Sequence, residues 1–177
     1  GIAVFPFGGF FGRQSHCPRD PADQERFLRY VLARWGCYPN LLYNVSGPEP
    51  SLESTLWLPR EDVERLGRLI RKLDVYGRPL SVHNPTGDDP YRDSDWSTFG
   101  TLQGPKTVDR RELQEGLLRN LHPSKPLLAQ ETLWSGNRFH VQQIGRDYTD
   151  DDIRRNALTL ALCGVQLCFA DNQGTSS

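Results

Sequence analysis

The sequence predicts an α/β protein built on parallel strands. Three observations carry that prediction. Short apolar runs of strand length alternate with amphipathic helical stretches along all 177 residues, the breaks between them fall at Gly, Pro and Asp, and polar residues gather just after the apolar runs. Such alternation implies right-handed crossovers between parallel strands. Two architectures satisfy it, an open doubly wound sheet and part of a closed barrel, and local pattern does not separate them. The length suits one domain over residues 1–177.

Residues 1–7 form an apolar run that stops at Gly8-Gly9. Asp20-Pro21 then opens a helix, with a capping residue followed by Pro at the first helical position. Phe27, Tyr30, Val31, Arg34 and Trp35 follow at helical spacing, and Gly36 closes the segment. Residues 41–45 make a strand ending at Ser46-Gly47-Pro48. Pro59 begins a helix striped by Val63, Leu66, Leu69, Ile70 and Leu73.

A short strand at 79–82 runs into an Asp-, Pro- and Gly-rich loop at 83–96, and residues 97–103 read as the next strand. Residues 109–121 are helical, with Leu113, Leu117 and Leu121 four apart. The strand at 126–131 finishes on Glu131, and a polar loop covers 134–148. Thr149 caps a last helix with Asp152 at its third position. Gly164 ends that helix near Cys163, and residues 165–170 form the final strand.

Composition excludes several classes. The 21 basic and 22 acidic side chains nearly cancel, so no basic stripe is available to neutralise phosphates, and nucleic acid is not an expected partner. The apolar runs at 158–163 and 165–170 are far shorter than a membrane span, so no membrane partner is expected either. There is no GxGxxG, no GxxxxGK[ST] and no GxSxG. Cys17, Cys37, Cys163 and Cys168 show no metal-ligand spacing and read as small buried thiols, with a disulfide such as Cys17–Cys37 left open. Asp88, Asp89, Asp93 and Asp95 crowd one loop at a spacing unlike that of the EF-hand, so no metal is expected. The sequon at Asn44 falls in a strand expected to be buried and reads as chance. The chain starts at Gly1 and contains no Met, as a piece of a longer reading frame would, so a targeting signal could lie upstream and the compartment stays open.

In α/β proteins functional groups gather at the carboxyl ends of strands. Those positions hold Asn44, Ser46 and Glu49, then His83 and Asn84, then Gln103, then Glu131 and Trp134, and finally Asp171 and Asn172. Amides and carboxylates hydrogen-bond hydroxyls, an aromatic face stacks on the C–H face of a sugar, and two carboxyls supply acid–base and nucleophilic chemistry. Glu131 is the sharpest of these, because a carboxylate on an apolar strand is not left unpaired at low cost. A strand-end carboxylate held by a nearby Arg or backbone N–H is the bland alternative. Glu49, His83, Gln103 and Trp134 likewise admit solvated or packing roles.

Several of these segments together resemble one family. Residues 29–43, Arg-Tyr-Val-Leu-Ala-Arg-Trp-Gly-Cys-Tyr-Pro-Asn-Leu-Leu-Tyr, resemble the "RYxxARYxxYPNxxW" passage into the fourth barrel strand of apiosidase-like glycoside hydrolases. Residues 125–131, Lys-Pro-Leu-Leu-Ala-Gln-Glu, resemble that family's "KPxxxxE" seventh strand, and residues 152–164 resemble the helix before its eighth. His83 and Gln103 sit where the family places polar residues after strands five and six. The resemblance covers roughly residues 25–172. It implies a (β/α)₈ TIM barrel, here partial, with about six βα units corresponding to strands three to eight. It also implies a retaining hydrolase of a plant or microbial glycan, needing no cofactor. Glu131 takes the nucleophile's position. For the acid/base, alignment on Pro39-Asn40 puts Pro48 where the family has a carboxylate and Glu49 one place later. The substrate-binding set is then Asn44, His83, Gln103, Trp134 and Asp171. A binding-only relative and a fragment completed by another chain or segment are the rival expectations.

Overall fold

The structure, a computed structural model, describes residues 3–7, 18–46, 51–52, 55–56, 58–84 and 87–171, excluding the side chains of 3–6, 51–52, 55–56 and 171. The elements run β1 Ala3–Pro6, α1 Pro21–Trp35, β2 Leu41–Asn44, β3 Ser51–Leu52, β4 Thr55–Leu56, α2 Arg60–Leu73, β5 Leu80–Ser81, β6 Gly100–Leu102, α3 Arg110–Asn120, β7 Leu127–Ser135, α4 Arg138–Ile144, α5 Asp150–Leu162 and β8 Gln166–Asp171. The chain divides into two compact units, Gly1–Asn84 with Asp93–Phe99 and Pro85–Arg92 with Gly100–Ser177.

The first unit holds a parallel sheet in the order β1-β2-β5, with Ala3 opposite Leu41 and Tyr43 opposite Leu80. Asp20 caps α1 by accepting from the N–H groups of Ala22 and Asp23 at 2.9 and 3.3 Å, with Pro21 behind it. The buried face of α1 is Gln24, Leu28, Val31 and Leu32, one step round from the expected stripe. Tyr30 and Trp35 are exposed: the Arg34 guanidinium lies 5.4 Å over the Tyr30 ring, and Trp35 leans on Tyr38. In α2 the stripe is as expected, with Val63, Leu66 and Ile70 buried. Gly67 lies against Trp96, whose indole N–H donates to Glu64 at 2.8 Å while Ser94 donates to the same carboxylate at 2.5 Å. Asp95 pairs with Arg68 at 3.1 Å. The short antiparallel ladder of β3 with β4 lies where a loop was expected.

The second unit holds the parallel sheet β6-β7-β8. Its core is Leu102, Leu113, Leu117, Leu127, Ala129, Leu133, Leu160 and Val165, contributed by β6, β7, α3, α5 and the approach to β8. Each fully buried leucine there contributes roughly 1.5–3 kcal/mol. Asp109 caps α3, and Thr149 with Asp152 closes a capping box on α5. The acidic loop is not a pooled cluster: Asp89 is buried and accepts from the N–H groups of Tyr91 and Thr101 at 3.0 and 3.1 Å. Among the described residues no three His, Cys, Asp or Glu side chains are grouped to hold a metal.

Three expectations need correction. The loop expected at 134–148 contains the two-turn helix α4, capped by Asn137 and closed by Gly145 in the left-handed conformation at φ 81°. The strand expected to stop at Glu131 continues to Ser135 because a register shift against β8 absorbs the irregularity. The cysteines are not buried thiols: Cys37 and Cys168 are exposed and Cys163 is half-buried, all three free, while Cys17 lies outside the described residues. No helix of the described residues is long and apolar enough to cross a membrane.

Candidate functional site

In the first unit β2 and β5 carry their polar residues to the carboxyl end of the sheet. Ladder bonding continues past the strands: Phe7 N–H donates to Asn44 C=O at 2.9 Å, Val45 to Ser81 at 2.8 Å and His83 to Ser46 at 3.2 Å. Backbone groups are thereby used up, and the side chains of Asn44, Ser46, His83 and Asn84 are held buried at this end, none more than 9% exposed. The Asn44 Oδ1 and the Ser46 hydroxyl have no hydrogen-bond partner among the described residues. Buried oxygens of that kind are uncommon and need a reason; one is a ligand that brings its own hydroxyl donors. The sequon at Asn44 sits at 3% exposure, consistent with a chance match. Glu49 lies outside the described residues.

In the second unit β6 ends at Leu102 and delivers Gln103, 3% exposed, whose Oε1 accepts from the Lys106 ammonium at 3.2 Å. Glu131 is half-buried on β7 with φ 53°, inside the register shift between Ala129 and Leu133. A non-glycine residue in the left-handed region costs of order 1 kcal/mol or more and persists only when its surroundings enforce it. Here they do: Leu128 and Ala129 pair with β8 on one side of the shift and Leu133 to Ser135 on the other. The kink sets Glu131 apart from the regular pleat, an arrangement frequent beside active sites.

The neighbouring residues lock the kink. The Thr132 hydroxyl accepts from Gly104 N–H at 3.1 Å, and Tyr148 donates its hydroxyl to the Thr132 carbonyl at 3.3 Å. Burial pushes the Tyr148 hydroxyl up to about 12, so it stays a protonated donor. Trp134 is half-buried, three residues along, and Asp171 ends β8 opposite Ser135, its side chain outside the described atoms. Gln103 thus follows β6, Glu131 lies midway along β7 and Trp134 near its end, while in the first unit Asn44 ends β2 and His83 follows β5.

Sequence reasoning missed His140. It sits on α4 at 1% exposure, edge-on to Trp134 at 6.1 Å and to Tyr148 at 6.2 Å, with neither ring nitrogen hydrogen-bonded among the described residues. Burial, with the Lys106 charge adding to it and Asp147 opposing, pushes its pKa down to about 4. The Asn137 cap and Gly145 stop flanking it were the available signals for its helix.

No family model and no curated protein matches the chain. Solved structures do. A glycoside hydrolase family 5 protein from Bacteroides vulgatus aligns with a TM-score of 0.62 at 16% identity, over 84% of this chain and 35% of that one. A second structure, described as a glycoside hydrolase, gives 0.61 at 17% over 85% and 38%. A candidate glycoside hydrolase from Bacteroides vulgatus gives 0.71 at 19% over 99% and 33%. The chain therefore spans about a third of the length of these structures, and what it shares with them is their α/β fold.

Proposed function

We propose that the chain is the catalytic part of a retaining glycoside hydrolase of apiosidase-like type, carrying strands three to eight of a (β/α)₈ barrel and acting on a plant or microbial glycan. The observation that carries this reading is Glu131, a carboxylate held at φ 53° in a braced kink midway along the parallel strand β7. The likeness in fold to three glycoside hydrolases supports it.

In this reading Glu131 attacks the anomeric carbon while Glu49 protonates the departing glycosidic oxygen. The resulting glycosyl ester is hydrolysed by water, whose proton Glu49 takes back, releasing Glu131 as a carboxylate. Retention requires the two carboxyls about 5–5.5 Å apart, close enough to raise the pKa of one, and Glu49 is assigned that acid role. Asn44, His83, Gln103 and Asp171 hydrogen-bond the sugar hydroxyls, and Trp134 stacks on a ring.

Turnover of a panel of aryl glycosides tests the reading. Glu131→Gln is expected to abolish it, by at least about 10³-fold. Glu49→Gln is expected to lower it most for poor leaving groups, and azide should restore turnover in a Glu49→Ala variant. Sugar binding without turnover in the unsubstituted chain would replace the enzyme with a binding-only relative, the outcome that Pro48 at the family's acid position favours.

A further inference from the structure

His140 is a described side chain of the second unit whose buried polar atoms find no partner and play no part in the reaction above. It is 1% exposed, neither ring nitrogen has a hydrogen-bond partner among the described residues, and a neutral imidazole must carry one buried N–H. Leaving that group unsatisfied costs about 1–3 kcal/mol. An apolar residue would fill the space without the penalty, so packing alone is a poor account of it.

Its surroundings indicate what it does. The imidazole stands edge-on to Trp134 on one side, centroids 6.1 Å apart at 78°, and edge-on to Tyr148 on the other, 6.2 Å apart at 81°. Edge-to-face pairs of this geometry contribute about 0.5–1.5 kcal/mol each beyond burial and fix the tilt of the rings. Tyr148 is itself anchored to the Thr132 carbonyl, next to Glu131. A continuous line of contacts therefore runs from the backbone beside Glu131, through Tyr148 and His140, to the indole of Trp134.

We infer that His140 is a positioning residue: wedged in neutral form between Tyr148 and Trp134, it sets the tilt of the Trp134 indole on which a sugar ring of the substrate stacks. This rests on the carbohydrate reading given above, since it assigns Trp134 to the sugar. The charged groups around the ring are the Lys106 ammonium, which opposes its protonation, and the Asp147 carboxylate, which favours it; Tyr148 remains neutral. Protonation places a charge in a closed aromatic wedge, and the wedge must open to hydrate it. As pH falls through about 4 the Trp134 ring is released, and sugar affinity falls.

The test labels the protein with 5-fluorotryptophan and assigns the Trp134 fluorine line by its loss in Trp134→Phe. In the unsubstituted protein the line is sharp at pH 7 and moves on acidification together with the His140 ring resonances. His140→Phe keeps the line sharp and removes that movement; His140→Ala shifts or broadens it at pH 7. With an aryl glycoside, His140→Ala raises KM about tenfold, equivalent to about 1.4 kcal/mol, with kcat within twofold. Should His140→Ala fail to fold, His140→Phe and the pH titration decide alone. A Trp134 line indifferent to both pH and His140→Ala overturns the inference, as does an altered line with unchanged KM. The fluorine readings need no turnover, so a protein that hydrolyses nothing would sink the enzyme reading and still leave the wedge tested.

Discussion

Asp152 and His140 are two buried ionisable side chains of one unit with opposite treatment. Asp152 is 1% exposed and saturated: it accepts from Arg146 at 2.6 Å, from Arg155 at 2.5 Å, and from the Thr149 N–H and hydroxyl at 2.9 and 2.7 Å. The Arg146 guanidinium foremost, then the Thr149 bonds, hold its carboxyl well below the usual range against the effect of burial. A depressed carboxylate pKa means stability that is present above about pH 4 and lost as pH falls further. His140 works in a different window. Its pKa is lowered from 6.5 to about 4, so the unfolded chain binds the proton more readily, and stability drains as pH falls from about 6.5 towards 4, by roughly 2–3 kcal/mol in all. Denaturant titrations at pH 7.5, 5.5 and 4.5 should show that decline in the unsubstituted protein, and His140→Phe should flatten it. Asp152→Ala is expected to cost about 2–3 kcal/mol at pH 7, through the lost cap and charged hydrogen bonds. An unchanged slope in His140→Phe would mean that another group governs the window.

At the scale of elements, close approach decides what a helix can carry. A Cβ at Gly67 would meet the Trp96 ring at 2.3 Å, and Trp96 is 2% exposed and held by Glu64, so it has nowhere to move. Gly67→Ala should therefore destabilise by about 1–3 kcal/mol despite the better helix propensity of alanine, read as a lower Tm. Legibility follows the same physics. Helix α2, with its clean stripe, and α3 and α5, each opened by a capping residue, were visible in the sequence, although α5 buries Asp152, Asn156, Thr159 and Leu160 and leaves Leu158 at 61% exposure. The face of α1 was not, because Tyr30 and Trp35 find surface partners and a polar residue, Gln24, takes a buried place by bonding Arg65 and the Pro18 carbonyl. Glu131 was legible as a residue but its kink was not: a register shift is set by pairing with β8, which no local window contains. His140 was hidden for a related reason, since seven residues give too little periodicity to mark a helix, and its burial depends on Trp134 and Tyr148.

At the scale of the whole molecule, strand edges matter most. Among the described residues β8 pairs with β7 alone, which leaves one row of its backbone donors and acceptors unladdered. Exposed apolar side chains lie on β8 itself, Leu167 and Phe169 at 37% and 52%, and on α5, Leu158 and Leu162 at 61% and 80%. Open strand edges beside apolar surface drive pairing with further strands unless charges block them, and β8 carries no charge before Asp171. On the partial-barrel reading this edge is also where a first strand would lie. The isolated chain is therefore expected to associate with itself as concentration rises, seen in sedimentation velocity between about 10 and 200 μM as a growing weight-average mass. The paired substitution Leu162→Lys and Phe169→Lys places charge on the helix face and on the strand, where it should hold the chain monomeric at the same concentrations. Neither side chain belongs to the packed core of its unit, so folding should survive, checked by circular dichroism. Salt separates the causes: association through apolar burial strengthens in sulfate, whereas pairing of charged faces weakens as ionic strength rises. If the double variant associates as the unsubstituted chain does, β8 and α5 are not the contact surface. If the unsubstituted chain stays monomeric throughout, the open edge is blocked by some feature other than charge, and a completing strand is not needed to keep it in solution.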